Sequence, residues 1–151
     1  MRTPRANPQS AAPLPVSAVT EITVRIASDR EIIEARQHGR AMAVRLGFGT
    51  ADRAMIAAAI SELARNLLLF AERGHITVAV VEQASRHGLR IVASDSGPGI
   101  ADIDVALEDG WSSAGRLGFG LAGVKRLMNE FSVTSTPGGG TTVTAIKWRT
   151  S

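Results

Sequence analysis

The chain has 151 residues, 44% of them hydrophobic, no cysteine and a formal net charge of +3. That length is one domain's worth and can bury a core, whereas no run nears the roughly 18 apolar residues needed to span a bilayer. Without cysteine there are no disulfides, thiolate nucleophiles or Cys-ligated zinc. The 17 basic and 14 acidic residues are interspersed with no basic stripe carrying aromatics, so nucleic-acid binding has weak support.

Residues 1–20 are rich in Pro, Ala and Ser, and four prolines break the first fifteen. They read as a disordered tail without an apolar signal core, which places the protein in the cytoplasm. The folded domain is expected over 21–151. Glu21–Ala27 alternates polar and apolar residues, as a half-buried strand does. Ser28 or Asp29 can cap a helix running to about Leu46, where Gly47-Phe-Gly49 stops it. Thr50 and Asp52 open a long helix to about Arg73, with Ile56, Ile60, Leu63, Leu67 and Phe70 as its core stripe.

Gly74 ends that helix. Two strands, Ile76–Gln83 and Leu89–Ser94, are predicted to form a hairpin around Arg86-His87-Gly88. Residues 96–117 read as a loop-rich segment with one short helix near 103–108. A helix over Gly118–Glu130 follows, then strands Phe131–Thr136 and Thr141–Trp148 joined through Pro137-Gly-Gly-Gly140. The order predicts an α+β fold, a two-layer sandwich of helices on one face of a mixed, mostly antiparallel sheet.

Three stretches carry candidate chemistry. In Glu62-Leu-Ala-Arg-Asn66, the Glu and Asn are four residues apart and share a helix face beside the core stripe. Asn is a poor helix-interior residue because its side chain competes with the backbone. In Ser94-Asp-Ser-Gly-Pro-Gly99, an apolar strand ends on a carboxylate. Alone that is a turn, but Asp95 can accept a hydrogen bond from an exocyclic amine, and Gly97 and Gly99 remove side chains where a planar base must approach.

In Gly115-Arg-Leu-Gly118-Phe-Gly120-Leu-Ala-Gly123, glycines crowd a helix N-terminus, where free N–H groups and the dipole favour phosphate. The G-x-G-x-x-G spelled by Gly118, Gly120 and Gly123 does not follow a strand, and no G-K-[ST] follows it, so neither a dinucleotide fold nor a Walker loop is indicated. His38, His75 and His87 show no metal-ligand spacing and read as surface or strand-edge residues. Trp111 reads as a packing or partner contact.

In this order the three stretches resemble the N, G1 and G2 boxes of the GHKL ATPase superfamily, which includes gyrase, Hsp90, sensor histidine kinases and MutL. Gly140-Thr-Thr-Val resembles the strand that closes its adenine pocket. Within the superfamily, SELARN, GPGIADID, EDGWSS and LGFGLAGVKRLMNEF are similar to RsbT-type serine kinases, which switch stressosome and partner-switching modules. Arg116 stands where a glycine is expected.

The resemblance implies a fold of the GHKL (Bergerat) type and ATP with Mg²⁺ as cofactors. It implies that Asp95 takes the adenine amine, supported by Thr141 with Thr142 as second candidate, and that Asn66 coordinates Mg²⁺. Gly115, Gly118, Phe119, Gly120 and Leu121 would line the phosphates, and Glu62 would be the base acting on a partner's serine. The implied partners are a STAS-domain antagonist, stressosome scaffold proteins and the regulator domain of a PP2C-type phosphatase. Neither nucleic acid nor membrane is expected. An anti-sigma factor kinase and a non-catalytic ATP-dependent binding module are the alternative readings.

Overall fold

A computed structural model of the chain describes residues 16–70, 74–97 and 120–149, the Phe70 side chain excepted. The elements run β1 (Ser17–Ile26), α1 (Asp29–Leu46), α2 (Thr50–Phe70), β2 (Gly74–Gln83), β3 (Arg86–Asp95), α3 (Gly120–Leu127), β4 (Glu130–Thr136) and β5 (Gly140–Trp148). The five strands form one sheet in the order β1-β2-β3-β5-β4. The expected short helix near 103–108 lies outside the described residues.

The sheet was expected to be mixed and mostly antiparallel, and every pairing among the described residues is antiparallel. Two helices, not one, separate β1 from β2, so the chain re-enters the sheet in the opposite direction. β3 and β4 do run the same way, but β5 lies between them. Strand β1 starts at Ser17, before the alternation at Glu21, because Ser17–Thr20 still pair with β2 although their side chains are exposed.

The helices lie on one sheet face, and the core forms between the layers. Val24, Ile26, Ile76, Val78, Leu89, Ile91, Val143 and Ala145 meet Ile32, Met42, Ile56, Ile60, Leu63, Leu67, Leu121 and Val124, all buried. Those strand residues alternate with the opposite face, as the pleat requires. There Ala79, Val81, Ile146 and Trp148 make a smaller cluster with Val16 against it. Arg86 stacks over the Trp148 ring at 3.9 Å, and the indole N–H donates to Glu130. No helix among the described residues is long and apolar enough to cross a membrane.

The helix ends follow local chemistry. Ser28 precedes α1, but its hydroxyl makes no bond to the helix backbone. It donates instead to the Glu31 carboxylate, which also accepts the Ala27 N–H at 3.1 Å. The Ser28 hydroxyl is the main cause that holds the Glu31 carboxyl below its ordinary range; burial opposes it, and the Ala27 N–H adds a lesser lowering. Gly47 ends α1 in the left-handed region, with Phe48 N–H bonded to Ala43 C=O.

The last helix is shorter than predicted: it ends at Leu127, and Glu130 already belongs to β4. Asn129 joins the sheet instead, its N–H donating to Ile146 C=O and its Oδ1 accepting the Trp148 N–H at 2.7 Å.

The β2–β3 turn is not at Arg86-His87-Gly88. Those residues pair with Gln83, Glu82 and Val81, and the turn is Ala84-Ser85, with Ala84 at φ 53°. An alanine in the left-handed region is costly and gives no turn signal in a sequence. Gly88 serves packing: a Cβ there would lie 2.6 Å from Lys147 C=O and 2.7 Å from the Trp148 ring. His38 and His87 pair with Glu34 and Glu82 at the surface, and His75 is an exposed strand residue.

Two outcomes check this fold. Gly88→Ala is expected to destabilise the protein by about 1–3 kcal/mol, the usual cost of overpacking, measured by urea unfolding. Ser28→Ala is expected to raise the Glu31 midpoint in an NMR pH titration. A depressed folded-state pKa contributes stability above the unfolded value that is lost as pH falls through the folded one. The Glu31-linked loss of stability on acidification should therefore be smaller in the variant and complete at higher pH.

Candidate functional site

The polar residues singled out in the sequence gather where the C-terminal half of α2 meets the tip of α3 and one end of the sheet. Helix α2 spans 21 residues, with Ile56, Ile60, Leu63 and Leu67 buried against the sheet. Glu62 leaves the helix toward α3. It is 0% exposed. Its Oε1 accepts the Gly120 N–H at 3.0 Å, and its Oε2 accepts from Arg65 Nη1 at 2.9 Å. Burying an ionised carboxylate is costly unless it is paired and hydrogen-bonded, and here a guanidinium and a helix N-terminus both serve.

One turn along, Asn66 has its Oδ1 buried with no hydrogen-bond partner. A buried orphan carbonyl oxygen calls for an explanation, and a hard oxygen donor fits a divalent cation such as Mg²⁺. No cluster of three or more His, Asp or Glu among the described residues could hold a metal alone.

Asp95 ends β3, and its Oδ1 accepts the Gly97 N–H at 2.8 Å. Its strand neighbour on one side is Gly74 of β2, whose absent Cβ makes room for Leu67, the Ser94 carbonyl and the Asp95 Cβ. On the other side Gly140 opens β5 at φ 87°, and a Cβ there would lie 2.1 Å from the Asp95 carbonyl. Asp95 is thus seated between two positions that only glycine fills, and Leu67 brings α2 to the same corner.

The two threonines separate. Thr141 is buried on the helix side of β5, in the same row as Val143 and Ala145, and its hydroxyl lies 2.8 Å from Ser135 Oγ. Thr142 points to the opposite face, its hydroxyl 3.4 Å from Ser94 Oγ. The structure therefore brings Thr141, and not Thr142, to the face that Asp95 shares with Ala93.

Gly120 is the first residue of α3 and is buried. Its N–H, which the sequence reading assigns to phosphate, donates to Glu62 Oε1. Leu121 packs into the core, so only its backbone can serve the site. Gly99, Gly115, Arg116, Gly118, Phe119 and Trp111 lie outside the described residues.

Two contributors escaped the sequence reading. Arg65 sits three residues from Glu62, a spacing that places the pair on one helix surface. Lys147, 9% exposed, donates to Leu127 C=O at 2.6 Å and lies 3.8 Å from Asp52 Oδ1. It sets a cation at the C-terminal end of α3, where the helix dipole favours one. Nothing in the local sequence signals it, since a lysine in a terminal strand reads as exposed.

Comparison with known proteins gives the family. Residues 51–150 match the family model described as histidine kinase-, DNA gyrase B-, and HSP90-like ATPase. The serine/threonine-protein kinase RsbT of Bacillus subtilis (strain 168) is 54% identical over 125 residues, covering 83% of this chain and 94% of that protein. The solved structure of the RsbU and RsbW domains of Rv1364c from Mycobacterium tuberculosis shares the fold, with a TM-score of 0.60 and 24% identity over 93% of this chain and 34% of that one. A carboxylate on the tip of α3, an asparagine one turn beyond it and an aspartate at a glycine-flanked strand end fall within residues so matched, and the chain belongs to the histidine kinase-, DNA gyrase B- and HSP90-like ATPase family, as a member of the RsbT type.

Proposed function

We propose that this protein is an ATP-dependent serine/threonine-protein kinase that phosphorylates a serine on a STAS-domain antagonist. When released from that partner it engages and activates a PP2C-type phosphatase. The observation that carries the reading is the buried Glu62 carboxylate on the Gly120 N–H, beside the orphaned Asn66 oxygen. It is further supported by the 54% identity to a named serine/threonine kinase.

On this reading Asp95 accepts from the adenine amine, and Thr141 steadies that contact from β5. Asn66 would hold Mg²⁺, which when bound neutralises charge on the phosphate oxygens. Backbone N–H groups at the start of α3 face the phosphates. As the γ-phosphate takes the Gly120 N–H, Glu62 Oε1 exchanges that bond for the hydroxyl of the partner's serine, while Arg65 keeps Oε2 in place. Glu62 takes the serine proton as the hydroxyl oxygen bonds to the γ-phosphorus, and the bond to the β-phosphate oxygen breaks to release ADP. Phosphoryl transfer depends mostly on position and charge neutralisation, so few side chains suffice.

Asp95→Asn presents a donor where an acceptor is required. It is expected to weaken ATP binding at least about 100-fold in calorimetry, since a site with a mismatched buried polar group discriminates strongly; unchanged affinity would refute the pocket. Glu62→Gln keeps an acceptor for Gly120 but loses the base. Its ATP affinity should stay close to wild type while transfer to a purified STAS-domain protein slows by about 10²-fold or more, followed with radiolabelled ATP.

A further inference from the structure

A second surface lies in the valley between α1 and α2. It is a cleft of about 510 Å³ into which Arg36 and Arg40 of α1 and Arg53 of α2 project. Its floor is Ala54, Ala57, Ala58 and Ser61, at i, i+3, i+4 and i+7 along α2. On α1 the exposed Ile33 and Val44, 47% and 56% accessible, continue the Arg36–Arg40 stripe at helical spacing. The cleft is separate from the candidate site, because Ser61 and Glu62 are successive residues and leave α2 on different sides.

Three features mark this surface as incomplete. Among the described residues no acidic one lines the cleft. Among the described residues Arg36 and Arg40 make no ion pair, and Arg53 donates only to the Thr50 hydroxyl. Two like charges at i, i+4 destabilise a helix unless a counter-charge is supplied. The Ser61 Oγ is buried with no hydrogen-bond partner, although a mid-helix serine ordinarily bonds back one turn.

We infer that the α1–α2 cleft docks an acidic amphipathic helix of a partner protein. Small and apolar residues of that helix would lie on the alanine floor and against Ile33 and Val44, and its flanking carboxylates would engage Arg36, Arg40 and Arg53. Small side chains at helical spacing let a third helix approach closely, and helix-in-groove docking reads such i, i+3, i+4, i+7 anchors. Guanidinium–carboxylate pairing supplies the orientation. A free anion or a nucleic-acid backbone would match the arginines but leave the alanine floor and both exposed aliphatics without a contact. The inference does not rest on the kinase reading.

The chain has no cysteine, so Ala57→Cys provides one thiol for an environment-sensitive dye on the cleft floor. The probes are a lactam-stapled helix of about four turns, long enough to hold its shape, with Ala and Leu on one face and glutamate on its flanks; its lysine counterpart; and inorganic pyrophosphate. The acidic helix is expected to shift the dye's emission saturably and the lysine helix to leave it unchanged. In the Arg36→Glu, Arg40→Glu background the preference should invert, by at least about tenfold in each direction, as close charge pairs across interfaces do. ATP affinity should be unchanged in both backgrounds, which separates this surface from the nucleotide site and shows that the variant folds. The inference is overturned if both helices respond alike, if neither does, or if pyrophosphate alone gives the same saturable shift.

Discussion

The arrangement depends on one contact, the fully buried Glu62 carboxylate on the N–H of Gly120. An ionised carboxylate with no water around it is tolerated only where its lone pairs are met. Arg65 meets one oxygen, and the buried Gly120 amide at the start of α3 meets the other. The bond therefore satisfies two requirements at once: the desolvated charge needs donors, and the helix tip needs acceptors for its orphan N–H groups. Because a helix N-terminus attracts any anion, the side chain proposed as base and the phosphate proposed as substrate seek the same partner. On the proposed reading, nucleotide phosphate and Glu62 therefore compete for the Gly120 N–H.

Helix α3 can make that contact because its other end is fixed as well. Lys147 reaches from β5 to the Leu127 carbonyl, and Asn129 adds two bonds to the end of the same strand. Asp52, in the first turn of α2, lies near the Lys147 ammonium. The two helices are thus tied near the start of α2 by a buried cation and near its middle by a buried anion. With both ties present, the distance from Glu62 to Gly120 is set by packed elements rather than by loop geometry. That is the condition under which a positioned group contributes most to a rate.

Much of this was legible in the sequence wherever a residue type carries a local cost. Asn66 in a helix interior and glycines beside an aspartate are poor choices for stability alone, so they pointed to a site. The core stripe of α2 and the alternation of the strands placed the layers correctly. What was not legible depended on partners distant in sequence. Ala84 gave no sign that it would turn the chain, and Gly88 resembled a turn when its absent side chain makes room for Trp148, sixty residues on. Lys147 resembled a surface lysine until the sheet brought it under α3. The choice between Thr141 and Thr142 needed the phase of β5 against β3, which registry alone determines.

The corner around Asp95 shows why backbone matters there as much as side chains. Gly74 and Gly140 come from strands on either side of β3, and each is the close neighbour of Asp95 in space. A methyl group at position 140 would strike the Asp95 carbonyl, and the left-handed backbone there disfavours any L side chain as well. Asp95 is consequently held by main chain on both flanks, with one carboxylate oxygen committed to Gly97. On the proposed reading its second oxygen, which has no such tie among the described residues, accepts from a donor arriving at the sheet end. A carboxylate fixed in this way discriminates between a donor and an acceptor edge without any change in its own position, which is how a single acidic side chain can suffice to recognise a base.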